Sequence, residues 1–336
     1  MASVPALTVA VPTFNGSRHI VDSLRGILAQ GDVAFDLLIC DDRSDDETLS
    51  LVQSEVGGRA RIDVNPERLG LARNWNRCVT LSRTPLVTIF HQDDLMRPGH
   101  LAAHLKAFEA APQAGLVASA VEMIDAQGRS LPGSVVESGG LGASDRRFAA
   151  GELLPSLAVS NPLRCSAVTL RAEAHQRLGG FDASYRYVVD WEFWLRIARE
   201  FEVCWLAKPT VAMRWHSASE THRFKKGTAD LEETEQLIDQ ILAAGIPGPA
   251  LKDLRRSADR RLSRAFLNRS HEALRAGNPV LARRCLDHSF SLSPAIVKTI
   301  ARDPRLALQI GLLAIAPRLA ASLLARPTFE TKPVAK

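Results

Sequence analysis

The fold of this protein is decided between residues 7 and 42, where the sequence reads LTVAVPTFNGSRHIVDSLRGILAQGDVAFDLLICDD. Residues 7–11 form a short apolar run rich in β-branched side chains, which predicts a buried strand. Apolar side chains then recur at helical spacing, at Ile20, Leu24, Ile27 and Leu28. Residues 35–40 predict the next strand. Strand–helix alternation at this spacing predicts an α/β fold with a mainly parallel sheet and helices on both faces.

The alternation continues towards the middle of the chain. Helices are predicted from about residue 47, over 70–81, over 99–111 and from about residue 190, and strands at 62–64, 85–90, 116–124 and 167–170. Residues 126–150 are rich in Gly, Ser and Arg and predict a mobile surface loop. Residues 204–213 predict a strand pair broken at Pro209. Only helical spacing remains beyond about residue 228, so we expect two domains, residues 1–225 and an all-α region over 226–336.

The composition is that of a globular protein, with 336 residues, 46% hydrophobic content and a net charge of +5. We predict no nucleic-acid partner, because no basic run with interleaved aromatic residues occurs. The five cysteines are odd in number and form no CxxC pair, which favours a reducing cytoplasm over secretion. The first residues, MASVPALTVA, lack the basic segment of a signal peptide.

Acidic pairs follow two of the predicted strands. Asp41 and Asp42 come directly after residues 35–40, and Asp93 and Asp94 come shortly after residues 85–90. Because the carboxyl ends of parallel strands meet at one edge of a sheet, we expect these four carboxylates to lie together. Oxygen ligands of this kind suit Mg²⁺ or Mn²⁺. The alternative is that such acids only cap helices or bind turns.

An apolar run, LALQIGLLAIA, occupies residues 306–316 and is followed by Pro317. It is shorter than the roughly 20 residues that a membrane-spanning helix needs. We therefore expect the run to pack on the protein or, as the alternative, to lie in a membrane interface. The predicted location is the cytoplasm, with peripheral contact at the inner face of the plasma membrane, through the C-terminal helices, as the alternative.

Six motifs resemble, in this order, those of the family 2 glycosyltransferases: VAVPTFNGSRHI, LLICDDRSDDET, NPERLGLARNWN, VTIFHQDDLMRPGHL, LGGFD and VDWEFWLRI. The resemblance covers residues 5–217 and implies the GT-A fold, in which a Rossmann-like nucleotide-binding half joins an acceptor half. It implies a transferase that moves a sugar from a nucleotide-diphosphate donor to a hydroxyl of a saccharide or lipid-linked saccharide. The implied cofactor is Mg²⁺ or Mn²⁺, and the implied context is the assembly of bacterial surface polysaccharide or glycoconjugate.

The resemblance also assigns nucleotide contacts. These fall on Pro12, Thr13, Phe14, Asn15, Asp41, Asp42, Arg73 and Asp93. The backbone around Thr13 would line the nucleotide, and the pair Asp41 and Asp42 would hydrogen-bond its base and ribose. Arg73 would reach the diphosphate, with an ordinary surface arginine as the alternative.

The metal would be held by Asp93, which matches the family's later acid of Asp-x-Asp-Asp, and by His216 of the closing Arg-x-His. His91 stands where the family has the first acid of that motif. Arg214 would fold over the diphosphate. Contacts to the donor or acceptor sugar are expected from His91, Asp94, Trp191, Glu192 and Arg214.

Asp190 aligns with the family's catalytic base, although Val189 replaces the acid that precedes it. A helix start would favour the ionised form of Asp190, and a simple helix cap is the alternative. As a base, Asp190 would take the proton from the acceptor hydroxyl while that oxygen attacks the anomeric carbon. One such displacement inverts the anomeric configuration. Glu192 is the alternative base.

Other functions fit the chain less well. A catalytically inactive carbohydrate- or nucleotide-binding protein of the same fold is the main alternative, supported by the acids missing at His91 and Val189. A nucleotidyltransferase would need a glycine- and lysine-rich loop after the first strand, where this chain has PTFNGSRHI. A dinucleotide-binding dehydrogenase would need GxGxxG in that place.

Overall fold

The computed structural model describes residues 5–31, 33–135, 141–216, 224, 227–246, 251–302 and 304–315. The chain forms two compact units, Met1–Ser219 and Glu220–Lys336. The sequence predicts the corresponding boundary after residue 225. The motifs that suggest nucleotide and metal binding all lie in the first unit.

Ten strands of the described residues form one sheet in the first unit. They are β1 (Leu7–Thr13), β2 (Asp36–Asp41), β3 (Arg61–Val64), β4 (Leu86–Ile89), β5 (Leu95–Met96), β6 (Ala114–Ile124), β7 (Ser130–Val135), β8 (Arg146–Phe148), β9 (Val168–Arg171) and β10 (Glu202–Arg214). The helices are α1 (Ile20–Leu28), α2 (Thr48–Val56), α3 (Leu71–Leu81), α4 (His100–Ala110), α5 (Leu154–Leu157), α6 (Ala172–Leu178) and α7 (Val189–Glu200).

The sheet runs in the order β3-β2-β1-β4-β9-β6-β10-β5. Its first four strands are parallel, as the sequence predicts. The rest is mixed, because β9 lies antiparallel to both β4 and β6 while β10 is parallel to β6. Since β1, β2 and β4 are parallel neighbours, their carboxyl ends share one edge of the sheet. The polar residues that follow these three strands form the candidate site.

Two predictions for the second half of the sheet are wrong. Residues 126–150 are not one surface loop, because β7 and β8 lie within them and pair with β6 and β10. β10 is a single strand and not a pair broken at Pro209. Its ladder with β6 is interrupted between Leu206 and Val211. Proline has no amide hydrogen to donate, and it is tolerated at such an interruption.

Helix α1 fixes the loop between itself and β1. Ile20, Leu24 and Ile27 are fully buried in a cluster that includes Leu7 and Val9 of β1. Burying each such side chain contributes about 1.5–3 kcal/mol. Because both ends of the connecting segment belong to this core, residues 14–19 are held at the carboxyl edge of the sheet.

The described part of the second unit is helical, as the sequence predicts. Its helices are α8 (Ala229–Ala243), α9 (Leu251–Arg275), α10 (Pro279–Leu292), α11 (Ile296–Ala301) and α12 (Pro304–Ile315). Asn278 caps α10 by accepting a hydrogen bond from Leu281 N, and Pro279 occupies the first turn. Arg269 of α9 forms a buried ion pair with Asp230 of α8, at 2.7 Å.

Helix α12 contains most of the predicted apolar run, and residues 316–336 lie outside the described residues. Among the described helices, we find none that combines the length and the apolar character needed to cross a bilayer.

Candidate active site

Asp41 ties the loop after β2 to the end of β1. Its Oδ2 accepts hydrogen bonds from Thr13 Oγ1 and Ser44 Oγ, both at 2.7 Å, and its Oδ1 accepts one from Ser44 N at 2.8 Å. The residue is fully buried. Asp41 therefore shapes the predicted nucleotide loop from within, and a direct contact between Asp41 and the nucleotide stays a prediction.

Asp42 ties the end of β2 to the loop before α3 in the same way. Its carboxylate accepts hydrogen bonds from Asn65 Nδ2, Leu69 N and Gly70 N, at 2.7–2.8 Å. Only 4% of the residue is exposed. A carboxylate offers about four acceptor positions, so one remains for a ligand. Arg73 is exposed on α3, which fits both alternatives given for it.

The segment after β1 has an unusual backbone. Asn15 adopts a positive φ of 47°, a conformation that asparagine tolerates better than most residues. Its side chain accepts a hydrogen bond from Asp45 N at 3.0 Å, and its own N donates to Ser44 Oγ at 2.9 Å. Phe14 lies under the guanidinium of Arg68, 3.7 Å from the ring centroid. Pro12 and Thr13 thus end β1, and Phe14 and Asn15 follow them in a braced loop.

Gln92 joins this loop to the segment after β4, a contact that the sequence analysis missed. Its Oε1 accepts from Phe14 N and its Nε2 donates to Phe14 O, both at 3.0 Å. Gly16 lies against the same amide, and a Cβ at that position would lie 2.1 Å from Gln92 Oε1. Seventy-eight residues separate Gln92 from Phe14, so no local pattern indicates the pair.

The candidate metal centre lies in the same segment. Ligand atoms of His91, Asp93 and Asp94 lie within 4.8 Å of one another. Asp93 Oδ2 is also 2.8 Å from His216 Nε2. Burial raises the pKa of Asp93, but the hydrogen bond from His216 and the charges of His91 and His216 outweigh it and leave that pKa below its ordinary value.

Two histidines of this centre each have one buried imidazole nitrogen without a partner in the described part of the chain. These nitrogens are His91 Nε2 and His216 Nδ1. Burial lowers the pKa of His91, so its ring is neutral and its nitrogen lone pair is available. His91 Nδ1 lies 3.9 Å from Asp94 Oδ2 and His216 Nε2 binds Asp93, so each ring presents its other nitrogen to the acids. Imidazole nitrogens and carboxylate oxygens are both common ligands of divalent metals. The donor set of carboxylate and imidazole therefore fits a divalent cation.

Asp94 is bound on both sides by the protein. Its Oδ2 accepts from Ser166 Oγ at 2.5 Å and its Oδ1 from Arg214 N at 2.9 Å, and only 2% of it is exposed. Burial, then the neighbouring charge of Asp93, raises the pKa of Asp94 to about 8. Asp94 is thus placed to support the metal centre, and the predicted contact with a sugar finds no support in this position.

Arg214 is also held by the protein itself. It is 5% exposed, and its guanidinium donates from Nε to Asp93 O at 2.9 Å and from Nη1 to Ala126 O at 3.0 Å. Its Nη2 lies 3.5 Å from Asp22 Oδ2. Arg214 braces the segment of Asp93 through these contacts, and its contact with the diphosphate stays a prediction.

His19 is a further member of the centre that the sequence analysis missed. Its ring lies 4.9 Å from that of His216. Its Nε2 has no hydrogen-bond partner among the described residues. Burial, then the charge of Arg214, lowers the pKa of His19 to about 4. The Gly-Ser-Arg-His stretch before α1 carries no spacing signal that would identify it as part of a site.

Asp190 lies in the first turn of α7, as predicted. Its Oδ1 accepts from Trp191 N at 2.7 Å, and Asn161 also hydrogen-bonds its carboxylate. Burial raises its pKa to about 6, although the charge of Arg164 opposes the shift. The helix start is expected to favour the ionised form of Asp190, and loss of hydration opposes this with the larger effect. Such a carboxylate is mostly ionised at pH 7 yet is a stronger base than an ordinary aspartate.

The neighbours of Asp190 on α7 are engaged elsewhere. Both carboxylate oxygens of Glu192 pair with Arg196, at 2.6 and 2.7 Å, and Arg196 in turn binds Leu178 O and Gly180 O. Trp191 is 7% exposed and donates to Leu157 O at 2.7 Å. Trp191 and Glu192 therefore stabilise the structure around Asp190. Neither side chain has the exposed position that the predicted contact with a sugar would need.

Comparison with known proteins places this geometry in a family. Residues 8–149 match the model described as glycosyl transferase family 2. The predicted resemblance to glycosyl transferase family 2 is confirmed over these residues. An uncharacterized protein of Mycobacterium tuberculosis is 27% identical over 71% of this chain and 76% of its own length. The putative glycosyltransferase EpsE of Bacillus subtilis is 25% identical over 60% of this chain and 69% of its own length.

Solved structures show the same fold. TarS of S. aureus, residues 1–349 in complex with UDP-GlcNAc, superposes with a TM-score of 0.61 at 15% identity, over 87% of this chain and 92% of that one. The mannosyltransferase PcManGT of Pyrobaculum calidifontis, in complex with GDP-Man and Mn²⁺, gives 0.56 at 19% identity, over 96% and 87%. The predicted GT-A fold is confirmed.

We predict that Gln92→Ala loosens the loop after β1. The change leaves Phe14 N and O without partners, which costs about 1–3 kcal/mol when such groups are buried. Chemical denaturation should show a loss of that size in the free energy of unfolding, and calorimetry should show weaker binding of nucleoside diphosphates. Gln53 is exposed on α2, so Gln53→Ala should change neither. Unchanged stability and affinity in Gln92→Ala would contradict this role.

Proposed function

We propose that this protein is a metal-dependent, inverting glycosyltransferase that moves a sugar from a nucleotide-diphosphate donor to an acceptor hydroxyl. One observation carries the proposal. Residues 161–166 contact both candidate centres, because Ser166 Oγ binds Asp94 and accepts from His91 N at 3.2 Å, while Asn161 binds Asp190. One short segment of the first unit therefore connects the candidate metal centre with Asp190.

Asp93, His216 and His91 would hold the cation. When bound, the cation would neutralise negative charge on the departing diphosphate. The imidazoles favour Mn²⁺ over Mg²⁺, because Mg²⁺ takes oxygen ligands. The protein's own part is to fix Asp93, through His216 on its carboxylate and Arg214 on its backbone oxygen.

Asp190 would accept the proton of the acceptor hydroxyl. Its pKa of about 6 places it near the range that general bases use at neutral pH. Glu192 is held by Arg196 and is not available as the base. Because Asp190 acts on the acceptor and no enzyme nucleophile is required, a single displacement with inversion is the mechanism we propose.

The relatives support the donor class. TarS is seen with UDP-GlcNAc, and the mannosyltransferase with GDP-Man and Mn²⁺. We therefore propose a nucleotide-sugar donor and leave its base and sugar open. A saccharide or lipid-linked saccharide acceptor, in assembly of a bacterial surface polysaccharide or glycoconjugate, is part of the same proposal. The raised pKa of Asp190 favours an enzyme over an inactive binding protein of the same fold.

Metal dependence can be tested by calorimetry with UDP and GDP. We expect at least a tenfold lower Kd with Mn²⁺ than with EDTA, because the cation links the protein to the diphosphate. Asp93→Asn should remove that difference. Asp182→Asn, at an exposed acid outside the centre, should preserve it. Equal affinities of the wild type with Mn²⁺ and with EDTA would reject the role of Asp93 as a metal ligand.

The base can be tested with Asp190→Asn. Transfer should fall by about 10² to 10⁴, while Kd for the donor is unchanged. In the wild type, transfer should fall below pH 6, because the protonated carboxylate cannot accept a proton, and the variant's residual rate should lack this decline.

Stability separates the base from a structural role. The pKa of Asp190 rises from 3.8 to about 6 on burial, so folding loses stability as pH rises through that range. Asp190→Asn removes this loss and should melt no lower than the wild type at pH 8. Glu192→Gln, which breaks the pair with Arg196, should melt lower but retain the acidic decline in rate. Near wild-type transfer by Asp190→Asn would refute the assignment.

A further inference from the structure

The positive charge of this protein is concentrated in one helix. α9 carries eight Lys and Arg side chains against three Asp and Glu, a net charge of +5. The whole chain also has a net charge of +5, from 42 cationic and 37 anionic side chains. The other 311 residues therefore hold 34 of each sign and are neutral as a set. The location of the excess charge thus points to α9 as a surface with its own role.

Four of these cations follow one another at i,i+4 spacing, at Lys252, Arg256, Arg260 and Arg264, and all four are exposed. Such positions are neighbours on a helix surface. At a rise of 1.5 Å per residue, the four extend over about 18 Å. The line continues through Asn268 and His271 to exposed Arg275. We name the five cations of this line the basic row.

Most of the basic row lacks an anionic partner. Arg256 pairs with Asp253, but the other four cations form no ion pair with any carboxylate in the described part of the chain. Arginines on other faces of α9 are paired: Arg255 binds Asp259, and Arg269 binds Asp230. Among the described residues, the basic row thus leaves Lys252, Arg260, Arg264 and Arg275 available to an external anion.

Exposed aliphatic side chains in the second unit indicate which kind of anionic partner the basic row would bind. Among the described residues, five large hydrophobic side chains are exposed, and four of them belong to the second unit: Leu251, Val280, Val297 and Leu308. Anionic headgroups attract cations, and the acyl boundary beneath them accepts aliphatic groups. A nucleic acid would match the cations but not the aliphatic groups, and the aromatic residue of α9, Phe266, is buried and cannot stack on bases.

We propose that the basic row of α9 binds the surface of a membrane that contains anionic lipids. Leu308 belongs to the apolar run at residues 306–316, from which the sequence predicts membrane contact, whereas the basic row lies outside that run. The inference is also independent of glycosyl transfer, because no residue of the candidate active site belongs to the row. Binding would place the protein at a lipid surface without a spanning segment.

The test is co-sedimentation of the full chain with vesicles. Wild-type protein should bind vesicles of phosphatidylcholine mixed with phosphatidylglycerol, should bind pure phosphatidylcholine much less, and should dissociate as salt is raised. Each cation near an anionic surface contributes about a fivefold gain in partitioning. The triple variant Lys252→Gln, Arg260→Gln and Arg264→Gln should therefore bind about 100-fold less strongly, with an unchanged melting temperature because these side chains have no ion-pair partners.

A matched control removes the same charge from the first unit. Arg83, Lys106 and Lys208 are exposed there, and their triple replacement by Gln should preserve vesicle binding. The proposal is overturned if both triple variants lose binding equally, if the α9 variant binds like the wild type, or if neutral and anionic vesicles bind equally. Tighter binding of the wild type to a short DNA duplex than to anionic vesicles, at the same salt, would assign the row to nucleic acid and overturn it too.

Discussion

A buried arginine at the end of β10 fixes the geometry of the candidate metal centre. Arg214 donates its backbone N to Asp94 and its Nε to the backbone oxygen of Asp93, more than one hundred residues away in the chain. Its Nη1 binds Ala126 O on the segment after β6. Burying a guanidinium group is costly unless it is hydrogen-bonded, so the buried position of Arg214 depends on these contacts. These contacts therefore hold the end of β10 and the segment after β4 together. His216 follows Arg214 by two residues, so the same contacts fix its position.

The charge balance of this centre depends on neutral histidines. Burial lowers the pKa of His19 to about 4 and also lowers that of His91. Neutral imidazoles cannot cancel the charge of Asp93, but they offer nitrogen lone pairs. Burial, and then the charge of the adjacent Asp93, raises the pKa of Asp94 to about 8. The cluster thus combines carboxylate and imidazole groups, a ligand set that suits a divalent cation.

The sequence predicts the parts of this structure that local pattern determines. The strands β1, β2 and β4, helix α1 and the position of Asp190 follow from apolar spacing and from the order of the motifs. The sequence fails where the decisive contact is distant. Gln92 meets Phe14 across 78 residues, and Ser166 meets Asp94 across 72. Neither contact leaves a local signal. Arg214 and Glu192 were recognisable as motif members, but their burial and partners depend on the packed structure.

Two aspartates of the candidate site have pKa values that move in opposite directions. Asp93 and Asp190 both lose hydration, which raises a carboxyl pKa. At Asp93 the hydrogen bond from His216 is the largest effect that opposes burial, and the pKa falls below its ordinary value. At Asp190 the charge of Arg164 and the hydrogen bonds from Trp191 and Asn161 only reduce the effect of burial. Environments that separate two carboxyl pKa values also separate their chemical roles. Asp93 stays ionised over the whole working range, as a metal ligand must. Asp190 titrates close to neutrality, where a carboxylate can both accept a proton during transfer and release it afterwards.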